Sequence, residues 1–431
     1  MKAALTPALP FASYACTTVQ SSSHRGHEPV LLHAWSPNPW ALVAITAGVA
    51  GVLLGLLLSL FAFSGPGYRY HLWRWEAETL TSNLFTRIGI GPDGAGEGQP
   101  EALQRYFALT SRVRAELELP EPDRTLIDTL ISERAAYEND VERLIEHRIG
   151  DAIQQAGLQE PLPLFGQVKV TWPPVDIELT SPPRLLVRSP RDRIERKGDT
   201  LLKNDLTLRQ IEEIERETTS DTTVSLVVSI GGLAAYPAIV RDDRSYDALL
   251  DTSAHEWVHH YLAFHPLGQK WGDGGDSETL NETTASVAGR ELANLVRGAH
   301  PEPLPADADG RAPAAPPATI DYNEEMRRLR LEVDALLAGG RVEEAERTME
   351  ERRLFFAENG IYIRKINQAF FAFYGTYADG PASSNPIGPK IERVWELTRD
   401  VGQFLRLMRN VETARELDDL LSRLEATGAG K

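Results

Sequence analysis

Residues 246–264 read YDALLDTSAHEWVHHYLAF, and they decide the fold. Inside the stretch, His255 and His259 stand four positions apart with Glu256 directly after the first. The flanks have helical spacing. On a helix, positions i and i+4 share one face a turn apart, so both imidazoles can reach one zinc ion at roughly 2.0–2.1 Å. Glu256 falls about 100° round the helix, close enough to reach a water beside the metal without ligating it. Histidines and a glutamate at these offsets also arise by chance. A downstream acid separates the two cases, and Asn281-Glu282-Thr283-Thr284-Ala285 supplies it, with 22 residues between His259 and Glu282. The intervening HPLGQKWGDGGD reads as a loop and 277–297 as a second helix, which can return antiparallel and present Glu282 to the metal. Upstream, the β-branched run VSLVVSI (224–230) continues into Gly231-Gly232-Leu233-Ala234-Ala235-Tyr236-Pro237. Its glycines and proline mark an edge strand, and Gly231, Gly232, Leu233 and Ala234 are candidates to pair with an extended peptide.

These features resemble the gluzincins, zinc metallopeptidases with HExxH on one helix and an Asn-Glu motif on the next. The resemblance covers roughly 224–297, about a sixth of the chain. It implies a zincin-like α+β core, His255, His259 and Glu282 as Zn2+ ligands, Glu256 as general base, and a peptide or protein substrate. Zinc would acidify a water and polarise the scissile carbonyl, and Glu256 would carry the proton to the leaving amine. Several gluzincins carry an Asp four residues after the ligand Glu, where this chain has Ser286. The glutamate with which some aminopeptidases hold a substrate amine is absent from the strand. Glu278, one turn before Glu282, is an alternative ligand. His265 matches the third metzincin histidine in count, but Leu262 stands where that pattern needs glycine. His260 points elsewhere on the helix. Tyr374 and Tyr377, in AFFAFYGTYADG, are candidates for an oxyanion donor, with core packing as the competing account. The rival readings are an inactive membrane-tethered binding protein and a zinc hydrolase of a non-peptide bond.

Outward from this core, residues 1–38 read as a flexible tail and 39–64 as a membrane segment. The uncharged run ALVAITAGVAGVLLGLLLSLFAF (41–63) spans about 34 Å as a helix, and aromatics flank it on both sides. This predicts a single-pass membrane protein contacting lipid through 41–63. Gly51 and Gly55 offer a possible homodimer seam. Positive charges on the two sides nearly balance, and the habit of signal-anchored hydrolases places the body outside the cytoplasm. A helical region spans 75–160, where apolar residues from Leu126 to Ile149 predict one long helix or a helix pair. The catalytic core covers 161–300, beginning with short strands in QVKVTW, VDIEL and RLLVR. A Pro/Ala-rich linker occupies 301–320, and helices fill 321–431, two of them joined at Gly339-Gly340. The chain has 62 acidic and 45 basic residues, a formal charge of −17, which argues against nucleic acid as a partner. Its one cysteine, Cys16, excludes an internal disulfide or a cysteine-built zinc finger.

Overall fold

A computed structural model of the chain describes residues 67–76, 79, 100–162, 165–274, 276–301 and 320–428. The tail, the apolar run 41–63 and nearly all of the 301–320 linker lie outside the described residues. Among the described residues no helix is long and apolar enough to cross a membrane.

Three helices come first: α1 (Pro100–Leu117), α2 (Arg124–Ala135) and α3 (Glu138–Gln155). The apolar periodicity from Leu126 to Ile149 is therefore a helix pair, broken at Ala136-Tyr137. The Asp123 side chain caps α2 by accepting from the Thr125 and Leu126 amides. Short strands follow: β1 (Glu160–Leu162), β2 (Phe165–Val170), β3 (Ile177–Leu179), β4 (Arg184–Pro190) and β5 (Asp199–Leu202). Next come α4 (Leu208–Thr218), opened by a Thr207/Gln210 capping box, then β6 (Thr223–Ser229), β7 (Gly232–Leu233) and β8 (Ala238–Val240). Helix α5 (Tyr246–Leu262) carries both histidines, α6 (Pro266–Gln269) is a single turn, and α7 (Ser277–Ala299) carries Glu282. The C-terminal part supplies α8 (Tyr322–Ala338), α9 (Val342–Glu358), α10 (Gln368–Tyr374), α11 (Ile387–Thr398), α12 (Val401–Met408) and α13 (Ala414–Gly428).

Three small sheets take the place of one. β1 and β2 form a hairpin. β4 is the centre of an antiparallel β5-β4-β6 sheet, and β8 pairs in parallel with β3 and antiparallel with β7. Gly65–Lys431 forms one compact unit. Its larger apolar cluster surrounds α5 and α7 with residues of α1, α3 and α11–α13, among them Ile145, Trp257, Leu280 and Phe404. A second cluster joins β4 and β6 to α8–α10 through Val187, Leu226, Leu329, Met349 and Phe371. Since α7 is buried on nearly every side, it carries small residues (Thr283, Thr284, Ala285, Ala288, Gly289) rather than a polar outer face.

Sheet edges are sealed with care, because unpaired strand groups invite foreign strands. Beside β5, the Tyr70 amide donates to Leu201 O at 3.0 Å and the Lys203 amide to Tyr68 O at 2.9 Å. Along β3, Glu146 accepts from the Ile177 amide at 2.9 Å and Glu142 from the Leu179 amide at 2.7 Å. On β6, Glu215 accepts from the Val227 amide at 2.7 Å, while Lys365 and Asn367 donate to Ser225 O. Arg364 donates both to Glu215 and to Val227 O. In the two three-stranded sheets only the β7 edge lacks such a cover among the described residues.

Burial pushes the Glu215 carboxyl up, but Arg364, the Val227 amide and Lys365 outweigh it and hold it below the usual carboxylate range. A depressed folded value stabilises above the unfolded value of about 4.3 and loses that stabilisation as pH falls through the folded value. Glu215→Ala is expected to lower unfolding free energy by about 2–3 kcal/mol at pH 7, read from the denaturant midpoint. The gap between parent and variant should close on acidification.

Candidate metal centre

The sequence places three ligand atoms together. His255 Nε2 and His259 Nε2 face each other at 3.0 Å, and Glu282 Oε2 lies 3.4 Å from each. The grouping follows from helix geometry. One turn separates the imidazoles on α5, and α7 returns antiparallel, bringing Gly289 against His255 and Asn281 against His259. A Cβ at Gly289 would sit 2.8 Å from His255 N and 2.9 Å from its Cα, so only glycine allows the two backbones this approach.

Asn281 Oδ1 lies 2.7 Å from His259 Nδ1; an amide oxygen only accepts, so Nδ1 carries a hydrogen, and Nε2 is the nitrogen left to face the cluster. Two inward Nε2 atoms 3.0 Å apart and a buried Glu282 Oε2 with no hydrogen-bond partner among the described residues form a cluster that could hold a metal ion. Two imidazoles and one carboxylate suit zinc, and the partial exposure of the two histidines leaves the cleft side open for a fourth ligand. The residues present therefore fit the metal that the motif implies. The proton affinities below belong to the metal-free site. Burial pushes Glu282 up, yet the two imidazoles hold it well below the usual carboxylate range. Burial lowers His259, but Glu282 more than offsets this and lifts it to about 9.

Glu256 lies in the wall of a cleft of about 840 Å³, shared with His255, His259, Glu282, Tyr377 and all four strand candidates, Gly231–Ala234. Burial raises its proton affinity above the usual value. Strand β7 passes so close that a Cβ on Gly232 would meet Glu256 Oε1 at 2.4 Å. Tyr377 has its ring centroid 6.3 Å from that of His255, and burial pushes its phenol well up, so it stays a neutral donor near Glu282. Tyr374 goes elsewhere. It packs on Phe370 at 4.6 Å and Phe373 at 5.0 Å and lines a different cavity.

The remaining candidates are accounted for by position. Ser286 lines the cleft, and the orienting role falls to Asn281 instead. Glu278 stands 3.8 Å from Arg196, outside the three-atom cluster. His265 precedes α6 without a capping bond and rests on the Tyr261 ring, 4.5 Å between centroids. His260 Nε2 meets Ala235 O at 2.6 Å, tying the turn after β7 to α5. Sequence reasoning missed Trp271, whose ring stands 5.7 Å from that of His259, and the tight fit at Gly232 and Gly289. Comparison of the chain with protein families, curated proteins and solved structures finds no match.

Asn281→Ala is expected to weaken zinc binding about 10–100-fold in a chelator-competition titration, the usual consequence of losing a histidine's outer partner. Asn281→Asp should retain most of it. Gly289→Ala must part α5 from α7, costing about 1–3 kcal/mol of stability and lowering zinc stoichiometry in metal analysis of the folded protein.

Proposed function

We propose that the chain is a zinc-dependent metallopeptidase with a zincin-like core, anchored in a membrane through residues 41–63. The convergence of His255, His259 and Glu282, with an orphaned carboxylate oxygen at the focus, carries this reading. His255, His259 and Glu282 would hold the metal. When bound, zinc would supply Lewis acidity, easing deprotonation of water and polarising a carbonyl.

The chain's own groups do the rest. Glu256 accepts the proton of the attacking water and passes it to the leaving amine; its raised proton affinity suits a group that must both take and return a proton. Tyr377 donates its phenolic hydrogen to the carbonyl oxygen as negative charge develops there. Strand β7 is the one unsealed edge of the two three-stranded sheets among the described residues, and it borders the cleft. It aligns an extended peptide by backbone pairing. Gly232 lets that backbone pass over Glu256 without a side chain between them. A peptide substrate suits this layout, since β7 offers backbone groups rather than a pocket for one side chain.

The deciding experiment uses the full chain in detergent, with metal analysis and a mixed peptide library. The expected result is one zinc per chain in both the parent and Glu256→Gln, with hydrolysis in the parent and a loss of about 10²–10⁴-fold in the variant. Zinc without hydrolysis in the parent would leave only a binding role; absence of zinc would refute the centre itself.

A further inference from the structure

A second cavity, of about 380 Å³, lies between β4, β6, the start of α4 and residues 363–374. Its floor is apolar: Leu206, Ile211 and Val227 belong to a cluster against which Tyr68 packs. Its polar wall holds Arg184, Arg364 and Lys365. The charges there do not balance. Arg364 and Lys365 share one carboxylate, Glu215. Among the described residues Arg184 reaches only uncharged acceptors, Asn204 O at 3.3 Å and Ser229 Oγ at 3.2 Å. Nearby Arg241 is matched by Asp243. Three cations therefore face one acid in a chain whose net charge is −17. Burial, then Arg241 and Arg364, disfavour the charge on Arg184.

We propose that this cavity binds the phosphate of an anionic phospholipid, with Arg184 and Lys365 against the phosphate and the first carbons of the acyl chains along Leu206, Leu208 and Ile211. A phosphate diester is the shared chemistry of several ligands, and three observations favour the lipid. The floor is apolar where a free anion would need donors. Leu208, at the rim, is 56% exposed. Tyr68, packed on the same cluster, follows the apolar run 41–63 by five residues in the chain. Paired arginine and lysine are suited to phosphate, and their contribution is local, because the acidic protein as a whole repels anions. This inference is independent of the metal centre.

The test is a titration of the full chain in neutral detergent with dihexanoyl phosphatidylglycerol, reading the thermal unfolding midpoint. Dihexanoyl phosphatidylcholine and inorganic phosphate serve as the other arms. Phosphatidylglycerol should raise the midpoint saturably. Arg184→Gln and Leu208→Asp should each weaken that response about tenfold. Without lipid, Arg184→Gln should unfold no lower than the parent, since it removes repulsion; a merely structural arginine would lower it. Equal stabilisation by inorganic phosphate would overturn the lipid, and equal stabilisation by phosphatidylcholine would overturn the anion. An unchanged response in both variants, or no saturable response in the parent, would overturn the site.

Discussion

The approach of two helix backbones at Gly289 and His255 governs the candidate centre. Side chains normally hold packed helices 8–10 Å apart. At this crossing a single added carbon would strike the His255 backbone, so α5 and α7 meet without an intervening side chain. Glu282 stands seven residues before Gly289, two turns along the same face, and the closeness fixed at Gly289 lets its short side chain reach both imidazoles. The apolar cluster around Trp257, Leu280 and Val287, backed by α1, α3 and the C-terminal helices, holds the crossing in place. The helices before and after the core are thus part of the centre's support.

Charge adds the second constraint. Glu256 and Glu282 are deeply buried and His259 is half-buried, and each such group costs free energy unless something compensates. Glu282 and His259 compensate each other, and Asn281 adds a hydrogen bond. At Glu256 burial outweighs the attraction of His255 and His259 and shifts the carboxyl towards its neutral form. Two carboxylates on neighbouring helices, one held ionised and one pushed towards protonation, are driven apart in proton affinity by their surroundings alone.

Much of this was legible in the sequence because helical spacing is local. His255, Glu256 and His259 follow from one turn of α5, and the loop of glycines and polar residues before α7 makes the return of Glu282 readable. The edge character of 231–237 was legible from its glycines and proline. Tyr374 and Tyr377 were not separable, since three positions apart they would share a helix face. The separation comes from the end of α10 at Tyr374: the turn at Gly375 leaves that ring among phenylalanines and carries Tyr377 to the cleft. The role of Asn281 was hidden because the family pattern directs attention to position 286. Strand β5 (DTLL) escaped because four residues beginning with a charge carry little periodicity, and its partner at 68–70 is a bare strip of backbone seen only once β5 exists. Contacts such as Glu215 with Arg364, 149 residues apart in the chain, have no local signature at all.

The shortness of β7 has a kinetic consequence. Two residues span about 7 Å and offer two or three backbone hydrogen bonds, each contributing about 0.5–1.5 kcal/mol net. On the proposed peptidase reading, a chain seated on so small a ledge would be held by its main chain with little regard for its side groups, and the severed halves would dissociate quickly. On that reading the ledge would favour rapid turnover over long residence.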